Sequence, residues 1–179
     1  MNKRAPSIRM AAEEGAPSTE RDQGRRAQIG ASLAQSSAAF HELLATLQED
    51  DLSARRPGSW SVGEAAIHVV GSVEQTPALI RALRRGRDFM NLPLAIAEPA
   101  KRFYTWYAAR GATRAVLGTR FDVAHSAVLA LVDTIQEDEW RRGGHAYGEG
   151  FWTVEYAFRH QLEHVEEHVR QIRGLLGLA

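Results

Sequence analysis

The stretch TVEYAFRHQLEHVEEHVRQIRGLL, Thr153–Leu176, constrains this chain more than any other. Val154, Phe158, Leu162, Val165, Val169, Ile172 and Leu176 recur mostly at three- and four-residue steps, the pattern of one long helix with a single apolar side. Such a helix has to lay that side against other elements. Gln161, His164, His168 and Leu175 form an adjoining strip, so His164 and His168 border the buried side rather than oppose it. His160 continues the four-residue step in the other direction. Imidazoles at i and i+4 lie roughly 6 Å apart along the axis, from where both can reach one metal ion. His160 is turned about 80° from His168 on an ideal helix, so one of the three can fall outside a common coordination sphere.

A further ligand has to come from another element, and the best candidate is His68 in SWSVGEAAIHVV, flanked by Ile67 and Val69. Trp60, eight residues earlier, can pack at the entrance of that helix and position it. Three histidines fill three positions of a four- or five-coordinate ion and leave the rest to water, the open arrangement of a catalytic metal site. An ion so held lowers the pKa of a bound water or thiol and makes a nucleophile near neutral pH.

The rest of the chain supplies the walls. Residues 1–22 mix charge with Pro, Gly and Ser and read as a flexible N-terminal extension. Residues 23–179 read as one domain. Gln23 to Gln48 turns helical through Ile29, Leu33, Phe40, Leu43, Leu44 and Leu47, with His41 beside the stripe as a packing or surface residue. A turn follows over Asp50–Gly58. Ser61 or Ser59 can cap the next helix, and Glu64, three residues after Ser61, fits a capping box. That helix is expected from Val62 to about Arg87, with Pro77 inside it as an expected kink or break. Its far end is rich in arginine (Arg81, Arg84, Arg85, Arg87), which suits a helix C-terminus and reads as a solvated face.

Pro93 and Pro99 argue against one clean helix between Asp88 and Arg110, where Phe103, Tyr104, Trp106 and Tyr107 are expected to pack on the bundle. Thr113 to Glu139 is again helical, with His125 read as a satisfied histidine. WRRGGHAYGEGF reads as a glycine-rich loop near the site, and His145 in it as exposed rather than substrate-contacting. Four main helices, few strand signals and no internal repeat make an all-α helical bundle.

Composition narrows the function. The 179 residues carry 22 basic and 22 acidic side chains, so no global field draws nucleic acid or an anionic membrane. The absence of cysteine removes disulfides, thiolate ligands and a cysteine nucleophile, leaving nitrogen and oxygen donors for any metal. No apolar run of bilayer length or of signal-peptide type stands out, and cytoplasmic residence is the default expectation.

WSVGEAAIHV (Trp60–Val69), HVEEHVRQI (His164–Ile172) and the order of four helices between residues 23 and 176 resemble the DinB family of the DinB/YfiT-like superfamily. That superfamily also includes the N-terminal domains of mycothiol-dependent maleylpyruvate isomerases. The resemblance implies a four-helix bundle of DinB/YfiT-like type holding a divalent ion, nickel or zinc, on three histidines. Matched position by position, these are His68, His164 and His168, with His160 an additional histidine beside them. It also implies homodimers, a small-molecule substrate and, in several relatives, a thiol cofactor such as mycothiol or bacillithiol. The leading expectation is therefore a metal-dependent thiol S-transferase or isomerase, with His160 or Tyr156 as proton shuttle. The alternatives are a metal-dependent hydrolase using water and a non-catalytic, metal-stabilised stress or interaction protein.

Overall fold

The computed structural model describes residues 18–178. Five α-helices follow one another: α1 Ser18–Thr46, α2 Val62–Arg84, α3 Leu94–Ala109, α4 Arg114–Val132 and α5 Val154–Leu176. The expectation for residues 1–17 lies outside the described residues. Residues 18–22, assigned to the extension, instead open α1. The reason is Asp22, a buried carboxylate that accepts from the Trp140 indole at 2.6 Å and pairs with Arg26. Two polar side chains so tied carry the helix one turn further than its apolar stripe does.

Three of the helices begin on side-chain caps, each satisfying an otherwise unpaired N–H of a first turn. In α2 the Ser61 hydroxyl accepts from the Glu64 amide at 3.1 Å, and the Glu64 carboxylate accepts from the Ser61 amide at 2.7 Å. Thr113 and Thr153 cap α4 and α5 on one side only, their hydroxyls accepting from the Val116 and Tyr156 amides. At its far end α5 stops at Gly177, whose φ of 69° places it in the left-handed region that glycine adopts without strain.

Helices α2 and α5 pack together, α2 also packs on α4, and α1 packs on both α4 and α5. The four make a closed ring in which α1 and α2 lie across one diagonal and α4 and α5 across the other. Leu33, Phe40, Leu43, Ile67, Phe121 and Phe158 fill the centre, with the Phe40 and Phe121 rings stacked at 4.4 Å. Helix α2 is buried almost all round because α3 and the turn at Asp50–Ser53 cover the sides its bundle neighbours leave open. It runs through Pro77 without a break.

Five expectations need correction. Residues 94–109 form a helix despite its prolines: Pro93 stands just before the first turn, where a missing N–H costs nothing, and Pro99 sits within the second. Its aromatics do not pack on the bundle as expected. Phe103, Trp106 and Tyr107 are exposed, Trp106 under the Arg110 guanidinium at 3.7 Å, and only Tyr104 turns to a pocket described below.

Helix α4 ends at Val132 and not near Glu139, giving way to a short 3-10 turn at Glu137–Glu139. It is also apolar and long enough, by length and composition, to cross a membrane, contrary to expectation. Here it is a bundle helix. Arg120 makes a two-pronged ion pair with Glu74 of α2, and Asp122 bonds His41 of α1 at 2.7 Å.

The glycine-rich loop is an antiparallel hairpin, β1 Gly143–His145 with β2 Phe151–Thr153, in register Gly144 opposite Trp152. Its glycines answer to close approach: a Cβ at Gly143 would strike the Trp152 carbonyl, and one at Gly144 the Arg87 carbonyl. Phe89 clips onto the hairpin through its amide to the His145 carbonyl (2.9 Å) and its carbonyl to the Tyr147 amide (3.1 Å). This clip holds the α2–α3 connection over one end of the bundle.

Candidate metal site and pocket

His68 lies in the second turn of α2 and His164 and His168 in the third and fourth turns of α5. The packing of these two helices brings the three together. One ring nitrogen from each lies within 4.8 Å of the other two. The Nε2 atoms of His68 and His164 are 3.1 Å apart, a hydrogen bond in which one ring carries the proton. His168 donates from Nδ1 to the Gln171 side-chain oxygen at 2.7 Å, which leaves its Nε2 lone pair free. Gln171 was missed in the sequence, although it lies one turn after His168, where a helix places such partners. Trp60 packs edge-on to His68 at 4.7 Å and stacks on His168 at 6.1 Å.

All three imidazoles are held uncharged at neutral pH. Burial pushes His164 down to about 3, helped by His168 and His68, and it pushes His68 down to about 4, helped by His168 and Lys101. Burial also lowers His168, against the opposing pull of Gln171 and Glu167. Three neutral nitrogen donors converging without a carboxylate suit a borderline divalent ion of the nickel and zinc class and suit calcium or magnesium poorly. The residues fit the group the sequence implies.

A stability consequence follows for the metal-free protein. Unfolded imidazoles take up protons near pH 6.5, whereas folded His68 and His164 wait until about 4 and about 3. Between those values the unfolded chain binds more protons, so stability is full above about pH 6.5 and falls as the pH drops toward 4. The chelated protein should lose more of its Tm between pH 7 and pH 5 than the chelated His68→Gln variant does. An equal loss would show that His68 is not the group responsible.

Beside the triad opens a pocket of about 420 Å³ between α2, α3, α5 and the hairpin, with His68 and His164 in its wall. Apolar surface from Leu79, Leu92, Leu94 and Trp152 dominates it. Both non-glycine residues with positive φ among the described residues, Met90 (44°) and Tyr147 (55°), line it. Left-handed backbone at such positions is a mild strain of a kind that gathers at functional sites.

His160 also lines the pocket, stacked against His164 at 5.8 Å and edge-on to Trp152 at 4.5 Å, but stands outside the three-nitrogen cluster. Tyr156 is half exposed, is not part of the pocket wall, and stacks on His160 at 5.8 Å. The other histidines lie elsewhere. His125 is buried with Nε2 3.0 Å from the Leu33 carbonyl, His41 pairs with Asp122, and His145 is exposed beside Asp88. Among the arginines at the end of α2, Arg84 bonds Glu139 at 2.7 Å while Arg81, Arg85 and Arg87 face solvent.

Comparison with known proteins agrees with this architecture. The chain is similar to YfiT from Bacillus subtilis, described as a probable metal-dependent hydrolase with an unusual four-helix bundle topology. The TM-score is 0.67 at 14% identity, over 97% of this chain and 95% of that one. It is also similar to an uncharacterised protein from Escherichia coli UTI89, with a TM-score of 0.61 at 10% identity over 86% of this chain and 95% of that one. At these identities the likeness shows the fold alone. No curated protein matches the chain. These matches carry no particular tie to mycothiol-dependent isomerases. The sequence pattern of the DinB superfamily, however, matches residues 32–172, from the middle of α1 almost to the end of α5, and the chain belongs to that superfamily.

Proposed function

We propose that this protein is a metal-dependent hydrolase of a small organic molecule, with His68, His164 and His168 as metal ligands. The observation that carries the reading is the joining of an open three-histidine cluster to a largely apolar pocket of about 420 Å³. A structural metal site needs no such neighbour, and the volume is that of a small-molecule site. The fold relative from Bacillus subtilis, described as a probable metal-dependent hydrolase, supports the same choice. When bound, the ion supplies Lewis acidity, polarising a carbonyl and making water acidic.

The chain's own residues supply the rest. Leu79, Leu92, Leu94 and Trp152 desolvate the substrate and keep its body in place. Gln171 fixes the His168 ring and its tautomer, as partners beyond the ligands commonly do. His160 stands in the pocket wall next to His164 and is the residue placed to carry a proton to or from the reacting group. Tyr156 backs His160 from the solvent side and acts through it as a positioning residue.

Thiol transfer would use the same ligands with a thiol in place of water, and no described residue supplies a feature particular to a thiol. The test is turnover by untagged full-length protein, loaded with nickel or zinc, on a panel of small esters, lactones and amides. Hydrolysis without added thiol, abolished by chelation and by His68→Ala, is the expected result. Turnover that requires a thiol would transfer the reading to thiol transferase. Tight metal binding with no turnover on either panel would leave a metal-stabilised binding protein.

A further inference from the structure

Helix α3 carries two polar groups that the chemistry above does not use. Thr105 is 1% exposed, lines the pocket, and its hydroxyl has no hydrogen-bond partner among the described residues. A helical threonine commonly returns its hydroxyl to a carbonyl one turn back, as Thr76 does to Ser72 at 2.9 Å. Thr105 does not, and a buried unmatched hydroxyl is costly to keep. One turn before it, Lys101 lines the same pocket, half-buried, with its ammonium 2.5 Å from the Glu98 carboxylate. An ammonium has three N–H donors, and Glu98 occupies one of them. Lys101 shares that pocket wall with His68 and His164.

We propose that Lys101 and Thr105 anchor the carboxylate of an amphipathic organic acid whose apolar body fills the pocket and whose reactive bond faces the triad. This rests on the reading of the pocket as the substrate site. Lysine supplies charge and a strong N–H donor to one carboxylate oxygen, and the threonine hydroxyl donates to the other. Glu98 sits half exposed next to Lys101 and also lines the pocket, so a second carboxylate close to the first is repelled. The pocket therefore selects monocarboxylates. The anchor lies on α3, outside the four-helix ring, so substrate choice and metal binding reside on different elements.

The test is calorimetric titration of full-length protein with 4-phenylbutyrate and with its neutral primary amide, before and after chelation. In the wild type the acid should bind at least roughly tenfold more tightly than the amide, with or without metal. Lys101→Met should erase that preference, with Lys101→Gln as the second variant if the first fails to fold. Thr105→Val should weaken the acid several-fold. A preference that disappears on chelation yet survives Lys101→Met puts the carboxylate on the ion, overturning the anchor while leaving the metal reading intact. A Lys101-dependent preference in a protein that takes up no metal upholds the anchor and removes the hydrolase reading. Equal binding of acid and amide, or binding of neither, overturns the anchor.

Discussion

Replacing His68 or His164 with alanine is expected to lower nickel or zinc affinity by about a hundredfold. A structural zinc site contributes roughly 10–16 kcal/mol at neutral pH, and sharing that over four positions gives about 3 kcal/mol per ligand. His68 and His164 lie on different helices with their Nε2 atoms 3.1 Å apart, so neither can be replaced by a neighbour on the same turn. His125→Ala is the matched control. It removes a buried histidine bonded to the Leu33 carbonyl and stacked on Phe121, so it should cost stability and leave metal uptake unchanged. Elemental analysis of untagged protein, purified without nickel resin and then titrated with each ion, reads both effects. Equal metal retention in all three variants would sink the assignment.

Trp140→Ala is expected to destabilise the fold by about 4 kcal/mol, the usual size for deleting a buried aromatic. The ring is fully buried, packs against Phe158 of α5 at 5.9 Å, and has the Arg25 guanidinium over it at 5.6 Å. Its Nε1 donates to Asp22, and Arg26 holds both Asp22 and the Ile135 carbonyl, the latter at 2.6 Å. Trp140→Phe separates the two contributions. It keeps most of the apolar body and takes one donor from a buried carboxylate, so about 1–3 kcal/mol of the loss should remain. Urea unfolding of full-length protein measures both. A phenylalanine variant as stable as the wild type would show that the Asp22 bond contributes nothing.

What was legible in the sequence, and what was not, divides along physical lines. The long helices were visible because their apolar residues repeat at the helical period. The Ser61–Glu64 box was visible because a capping box is a local pattern. His164 and His168 were nominated by their four-residue spacing and His68 by its place on a second amphipathic helix. The family resemblance matched the same three, and the structure brings them together. Asp22 was invisible as an anchor because its partner, Trp140, lies 118 residues away. Helix α3 was obscured by Pro93 and Pro99, whose usual meaning is a break. Its unused aromatics also suggested packing where the structure shows exposure. The hairpin was read as loop because strands of three residues, two of the six being glycine, carry no alternation to detect. With α3 and the hairpin unread, the pocket could not be anticipated, since those two elements build most of the wall facing the triad.

The diagonal placement of α1 and α2 bears on how the chain is born. The first two helices to emerge from the ribosome, α1 and α2, are not neighbours in the ring, so they have no mutual face to close. Up to Val132 the growing chain can join α1 and α2 only through α4, leaving two apolar flanks bare. Both are covered in a single late event, when α5 docks against α1 and α2 together. Closure of this kind depends on contacts far apart in sequence and is correspondingly slow. His164 and His168 arrive with that same helix. The ion-binding centre and the completed bundle are thus products of one step, and a nascent chain cannot capture metal in this arrangement before it has finished folding.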